Sequence, residues 1–233
     1  MAESVEIRLL CYNIRSLRDD RDAVTAVIRH CRPDVVCVQE APRFWRWRTH
    51  AAWLANESGL AVVTGGRPAG LLLLAALRMD VRASRAMKLS RTPLLHQRGL
   101  ATAVLEVSGA RFMVGSFHLD LEPAARLRHA REILGHIKSA GVPVILAGDV
   151  NEDSRGAAWR ALAERLPDAW SSRPVATYSS REPVQQIDAV FADPAVEVIS
   201  CEVPDDPEVR ALSERASDHR PVLAVLRVPV ETN

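Results

Sequence analysis

Apolar positions gather in nine short runs, at residues 7–12, 35–38, 61–64, 71–77, 101–107, 112–117, 142–147, 187–191 and 221–228. Their length and their bounding turn residues predict strands. Between several of them the apolar spacing shifts to three and four. Val24, Val27, Ile28 and Cys31 make one such stripe, Leu127, Ala130, Leu134 and Ile137 a second, and Trp159, Leu162, Ala163 and Leu166 a third. These predict amphipathic helices that start at Asp19 or Asp20, at Glu122-Pro123 and at Asp153-Ser154. The helical pattern thins toward the C-terminal half, where strand follows strand more closely. No repeat, low-complexity stretch or linker divides the chain, so residues 1–233 read as one α/β domain. Periodicity alone leaves the strand pairing open.

Composition narrows this modestly. A chain of 233 residues with 48% hydrophobic content can bury a sizeable core. Thirty Lys and Arg against 29 Asp and Glu leave a formal charge of +1, so any attraction to nucleic acid or acidic membranes must come from a local patch. The longest apolar run, residues 70–77, is too short to span a bilayer, and MAESVEIRLL lacks the build of a secretory signal. A soluble cytoplasmic monomer with no membrane insertion is the expectation. Cys11, Cys31, Cys37 and Cys201 show no close-paired metal spacing, and three sit in or beside apolar runs, which predicts reduced, buried thiols.

The chemistry collects where strands end. LLCYNIRS closes an apolar run with Asn13, and VVCVQEA closes one with Glu40. In RFMVGSFHLDLE, alternation puts Ser116, His118 and Asp120 on one face. PVILAGDVNED reads as a central strand stopped by Gly148, after which Asp149 and Asn151 project together. A capped turn would use the same residues. QQIDAVFAD sets Asp188 among apolar neighbours, where an ionised acid needs a partner. RASDHRPV places Asp218 and His219 just before the last strand. Carboxylates and amides without thiols suit a hard cation such as Mg²⁺. Two histidines and spare amide donors suit phosphoryl oxygens.

The ordered set YNI, VCVQEA, GSFHLD, LAGDVNED, QIDAVF and SDHRPV resembles the endonuclease/exonuclease/phosphatase superfamily, which includes pancreatic-type deoxyribonuclease and abasic-site endonucleases. The resemblance runs from the first strand to the last. It implies a four-layered α/β/β/α sandwich: two mixed central sheets face each other, helices lie outside, and the active site sits along one edge. It further implies that Glu40 is the principal Mg²⁺ ligand, with Mn²⁺ as a possible substitute, helped by Asn13 and Asp218. His219 would be oriented by Asp188, His118 would bond a phosphate oxygen, and Asn151 would orient the phosphate or the attacking water. Asp149 would position that water or take its proton, so the base role is assigned to Asp149 and His219 jointly. Arg98 in QRGLATAV, and Thr177 and Tyr178 in VATYSS, match positions that meet substrate.

Two departures change the expectation. Arg15 stands where some nucleases of this superfamily carry a further metal-site acid, which argues for one metal. The helix ARLRHAREIL has His129 where relatives often have Gln, and its Arg126, Arg128 and Arg131 read as a solvated basic face. The segment RFWRWRTHAAW mixes tryptophan with arginine as single-strand binders do. The favoured reading is an amphipathic helix that buries Phe44, Trp47, Ala51 and Leu54 and leaves Trp45 off the stripe.

A metal-dependent phosphodiesterase acting on nucleic acid by in-line attack of water is therefore the leading expectation. One alternative gives the same centre a small phosphorylated metabolite or lipid headgroup. Another, a non-catalytic binding module on the same fold, predicts the loss of at least one core residue, and none is missing.

Overall fold

Along the first strand the side chains divide between two cores: Ile7, Leu9 and Cys11 enter one, Leu10 and Tyr12 another. This period-two division recurs through the computed structural model, which describes residues 3–170 and 175–230. The described chain runs β1 (Ser4–Asn13), α1 (Arg21–Cys31), β2 (Val35–Gln39), α2 (Trp47–Ser58), β3 (Ala61–Gly66), β4 (Leu71–Ala75), β5 (Asp80–Lys88), β6 (Gly99–Val107) and β7 (Ala110–His118). It continues through α3 (Pro123–Ile137), β8 (Val144–Asp149), α4 (Ala157–Arg165), β9 (Asp188–Ala192), β10 (Glu197–Glu202), α5 (Pro207–Ala216) and β11 (Val222–Pro229).

The strands form a six-stranded sheet, β10-β11-β1-β2-β4-β3, and a five-stranded sheet, β5-β6-β7-β8-β9. Both are mixed: β1 and β2 are parallel, as are β7 and β8, whereas β1 and β11, and β8 and β9, are antiparallel. One apolar cluster fills the space between the sheets, with Leu9, Cys37 and Leu73 meeting Phe112, Val114 and Ile145. A second packs α1 and α2 on the outer face of the first sheet, and a third packs α3 and α4 on the second. The result is the expected four-layered α/β/β/α sandwich. All nine apolar runs fall on strands.

Local chemistry explains most boundaries. The Asp20 carboxylate accepts the backbone N–H groups of Asp22 and Ala23 and caps α1, and Glu122 caps α3 ahead of Pro123. The third helix starts later than Asp153-Ser154: α4 opens after Gly156, and Glu152 Oε1 accepts Ala158 N at 2.6 Å and Trp159 N at 3.0 Å. The tryptophan-rich segment is only partly helical. Helix α2 begins at Trp47 and buries Ala51 and Leu54, whereas Phe44 and Trp45 lie before it, 71% and 89% exposed. Two strands and a helix, β5, β10 and α5, fall outside the apolar runs. All four cysteines are free thiols, with Cys201 half-buried and the others buried. No described helix is long and apolar enough to cross a membrane.

Candidate active site

Register brings the polar strand ends together. Parallel pairing of β7 with β8 sets His118 beside Asp149, and antiparallel pairing of β8 with β9 sets Asp149 beside Asp188. On the facing sheet, Asn13 ends β1 opposite Gln39, the residue before Glu40. Gly148 permits this close approach: a Cβ there would lie 2.2 Å from the Phe117 carbonyl oxygen. Polar bonds also join the sheets beneath the site. Gln39 Nε2 donates to Ser116 Oγ at 3.1 Å, and Ser116 Oγ donates to the Val38 carbonyl.

Asp149 is the hub. Its Oδ2 accepts from Asn13 Nδ2 at 3.1 Å, across the gap between the sheets, and lies 3.2 Å from His118 Nε2. Its Oδ1 accepts the Asn151 backbone N–H at 2.9 Å. His219 Nδ1 bonds Asp188 Oδ2 at 2.8 Å, leaving Nε2 turned toward Asn13 Nδ2 at 3.4 Å and Asp149 Oδ2 at 3.8 Å. Asp149, Asp188 and His219 thus offer ligand atoms within 4.8 Å of one another, all buried. Glu40 and Asn151 sit in left-handed backbone, with φ of 51° and 57°. Such strain, on the order of 1–2 kcal/mol per residue, concentrates at functional sites.

Burial sets the proton affinities. It raises the Asp149 carboxyl to about 7, with the neighbouring Asp188 charge adding to the effect. For His219, burial opposes ionisation, but the Asp188 carboxylate outweighs it and raises the imidazole to about 10. Burial, helped by the charge of Arg98, holds His118 well below its ordinary value. At neutral pH the cluster therefore holds an imidazolium at His219, a neutral imidazole at His118 and an Asp149 near its midpoint.

A cleft of about 530 Å³ opens over this cluster, walled by Glu40, Arg98, His118, Tyr178, Asp218 and His219. Arg98 is only 8% exposed, and among the described residues its Nε has no hydrogen-bond partner. Burial lowers its proton affinity while the Asp149, Asp120 and Glu40 charges support its ionised form. A buried cation with a free donor suits an anionic ligand.

Sequence comparison matches residues 10–219 to the Endonuclease/Exonuclease/phosphatase family. The chain belongs to that family. Among solved structures it resembles an endonuclease/exonuclease/phosphatase family protein from Bacteroides thetaiotaomicron (TM-score 0.81, 18% identity, covering 97% of this chain and 99% of that one). It also resembles a mannosyl-6-phosphatase from Bacteroides thetaiotaomicron VPI-5482 (0.76, 17%, 94% and 99%) and D. rerio TDP2 complexed with a single-strand DNA product (0.75, 18%, 95% and 98%). A search of curated proteins gives no match. As a member of the endonuclease/exonuclease/phosphatase family, the chain is a phosphoester hydrolase.

Within this family domain the named residues take distinct places. Glu40 and Asp218 lie on the wall of one cleft, and both support the charge of Arg15, whose Nε is 3.3 Å from Asp218 Oδ2. Asn13 Oδ1 accepts the Arg15 backbone N–H. Tyr178 packs on the His219 ring with centroids 5.0 Å apart. Thr177 lies behind the cleft rather than in it: it is fully buried, and its hydroxyl accepts the backbone N–H groups of Ile187 and Asp188, fixing the start of β9. Of the basic helix face, Arg126 pairs with Glu152 at 2.7 Å, Arg128 bonds Ser90, and His129 is buried against the Ser90 carbonyl. Arg18 and His96 also line the cleft and carry no motif that marks them in the sequence.

Proposed function

We propose that the chain is a Mg²⁺-dependent phosphodiesterase acting on nucleic acid. The observation that carries this reading is the buried Asp188–His219 pair facing Asp149, with the unpartnered Arg98 guanidinium in the same cleft. The donors fit a hard cation: Glu40 and Asp218 are half-buried carboxylates on the wall of one cleft, and a cation there would displace the Arg15 guanidinium from Asp218. Glu40 and Asp218, helped by Asn13, would hold Mg²⁺, with Mn²⁺ as a substitute. When bound, the cation supplies charge to a phosphoryl oxygen and to the leaving oxygen.

The remaining roles belong to side chains. Asp188 orients the His219 ring through Nδ1 and stabilises its imidazolium form, so that Nε2–H faces the cleft and can donate to a phosphate oxygen. Asp149, poised near neutrality, takes the proton of the attacking water. Asn13 and the Asn151 backbone aim its two oxygens. Ionised Arg98 binds a non-bridging oxygen, and neutral His118, whose Nε2 lies 3.2 Å from Asp149 Oδ2, would share its single N–H between that carboxylate and a second oxygen. Asn151 is held by Nδ2–H donation to the Leu119 carbonyl at 3.1 Å, which leaves its amide oxygen for the water.

The test is hydrolysis of bis-p-nitrophenyl phosphate and of oligonucleotides with Mg²⁺ or Mn²⁺, repeated over a salt series. Cleavage abolished in His219→Ala, with oligonucleotide affinity falling steeply as salt rises, is expected. Unchanged turnover in that variant would sink the mechanism. A flat salt response with no oligonucleotide cleavage would transfer the centre to a small phosphorylated metabolite or lipid headgroup.

A further inference from the structure

Beside the catalytic cleft lies a second hollow of about 270 Å³, lined by Arg43, Phe44, Arg67, Arg91 and His96 among others and by no carboxylate. Arg43 and His96 line both spaces, so the two adjoin. Several arginines elsewhere are matched with acid: Arg78 with Asp34, Arg82 and Arg111 with Glu106, Arg126 with Glu152, Arg210 with Asp205. Among the described residues, the Arg43, Arg67 and Arg91 side chains have no ion pair or hydrogen bond. Three guanidinium groups without an acid partner thus share one hollow.

One wall of the hollow is seated on the backbone. Gly70 has a φ of +67°, and a Cβ there would come within 2.8 Å of Arg43 Cδ, so the glycine seats the arginine stem. Charge on Arg43 reaches the cleft, where it helps keep His118 neutral. Phe44 presents an exposed ring at the same hollow. Guanidinium forks around one space match the terminal oxygens of a phosphate, and an exposed ring gives a base a stacking platform.

We propose that this hollow binds a second phosphate of the substrate, one nucleoside removed from the scissile ester, with the intervening base against Phe44. The inference rests on the phosphodiesterase reading and narrows its substrate class to a nucleotide chain.

Calorimetric binding to the full chain tests it without turnover. The probes are thymidine 5′-monophosphate, thymidine 3′,5′-bisphosphate and thymidine 5′-diphosphate. The bisphosphate is expected to bind about tenfold tighter than the monophosphate. Arg67→Ala with Arg91→Ala should remove most of that preference, and Arg67→Glu with Arg91→Glu should reverse it. Equal binding of bisphosphate and monophosphate, or a preference that survives charge reversal, would overturn the subsite. A gain with the diphosphate matching that of the bisphosphate would overturn the chain assignment. Failure to hydrolyse any ester, with the bisphosphate preference intact, would instead count against the catalytic reading.

Discussion

Replacing Asp149 by Asn should make the protein more stable above neutral pH while abolishing its chemistry. The Asp149 carboxyl is 1% exposed and its proton affinity is raised to about 7, against about 3.9 for an unfolded aspartate. Because the folded value is raised, stability is fully present below about pH 4 and falls as pH rises through about 7. At pH 8 this costs the fold about 3–5 kcal/mol, and at pH 5 only about 1–2 kcal/mol. Asparagine removes that cost but not every bond survives. Oδ1 and Oδ2 both accept hydrogen bonds, an amide has one acceptor oxygen, and a stranded buried donor costs about 1–3 kcal/mol. The variant should therefore gain about 1–3 kcal/mol at pH 8 and break even or lose about 1 kcal/mol at pH 5. Urea unfolding of both proteins at several pH values, with EDTA present to exclude divalent cations, measures the difference directly. A variant less stable than the parent at pH 8, or a difference flat between pH 5 and 8, would refute the account of Asp149. Hydrolysis of bis-p-nitrophenyl phosphate by the same variant should fall by roughly 10²–10⁴-fold.

Asp188→Asn removes the counter-charge bonded to His219 at 2.8 Å. The His219 imidazole, followed by NMR, should titrate well below about 10, and kcat/KM at pH 7 should drop roughly 10- to 150-fold, the worth of one buried charged hydrogen bond. Arg15→Ala frees Asp218 from a guanidinium 3.3 Å away; since Arg15 is exposed, calorimetry should show Mn²⁺ binding only about two- to fivefold tighter. Gly148→Ala forces a Cβ to within 2.2 Å of the Phe117 carbonyl, and thermal unfolding should reveal a loss of about 1–3 kcal/mol or more.

The parts of the fold legible in the sequence are those whose burial writes a period. The central strands β1, β2, β7 and β8 are apolar over most of their length, and the α1 stripe packs on the first sheet. The edge strands β5 and β10 carry mostly exposed or half-exposed side chains, so their pairing leaves no apolar signature. Helix α5 buries only Val209, Ser213 and Ala216, too faint a stripe to read. At the site, residue type and order foreshadow the meeting of His118, Asp149, Asp188 and His219. Register, invisible in a linear string, is what sets them side by side. Thr177 shows the limit of motif reading, since whether a hydroxyl meets solvent or bonds its own backbone depends on depth. The pairing of arginines is equally hidden: Arg126 and Arg43 look alike in the sequence, and only folding gives one a glutamate and leaves the other free.

The bond from Asn13 to Asp149 joins residues on opposing layers, as does the one from Gln39 to Ser116. Any loosening that slides one half of the sandwich along the other by an ångström or two would break both before a single strand frayed. Turnover in this molecule should thus serve as a gauge of how firmly its halves are docked. It should disappear while circular dichroism still reports intact β-structure.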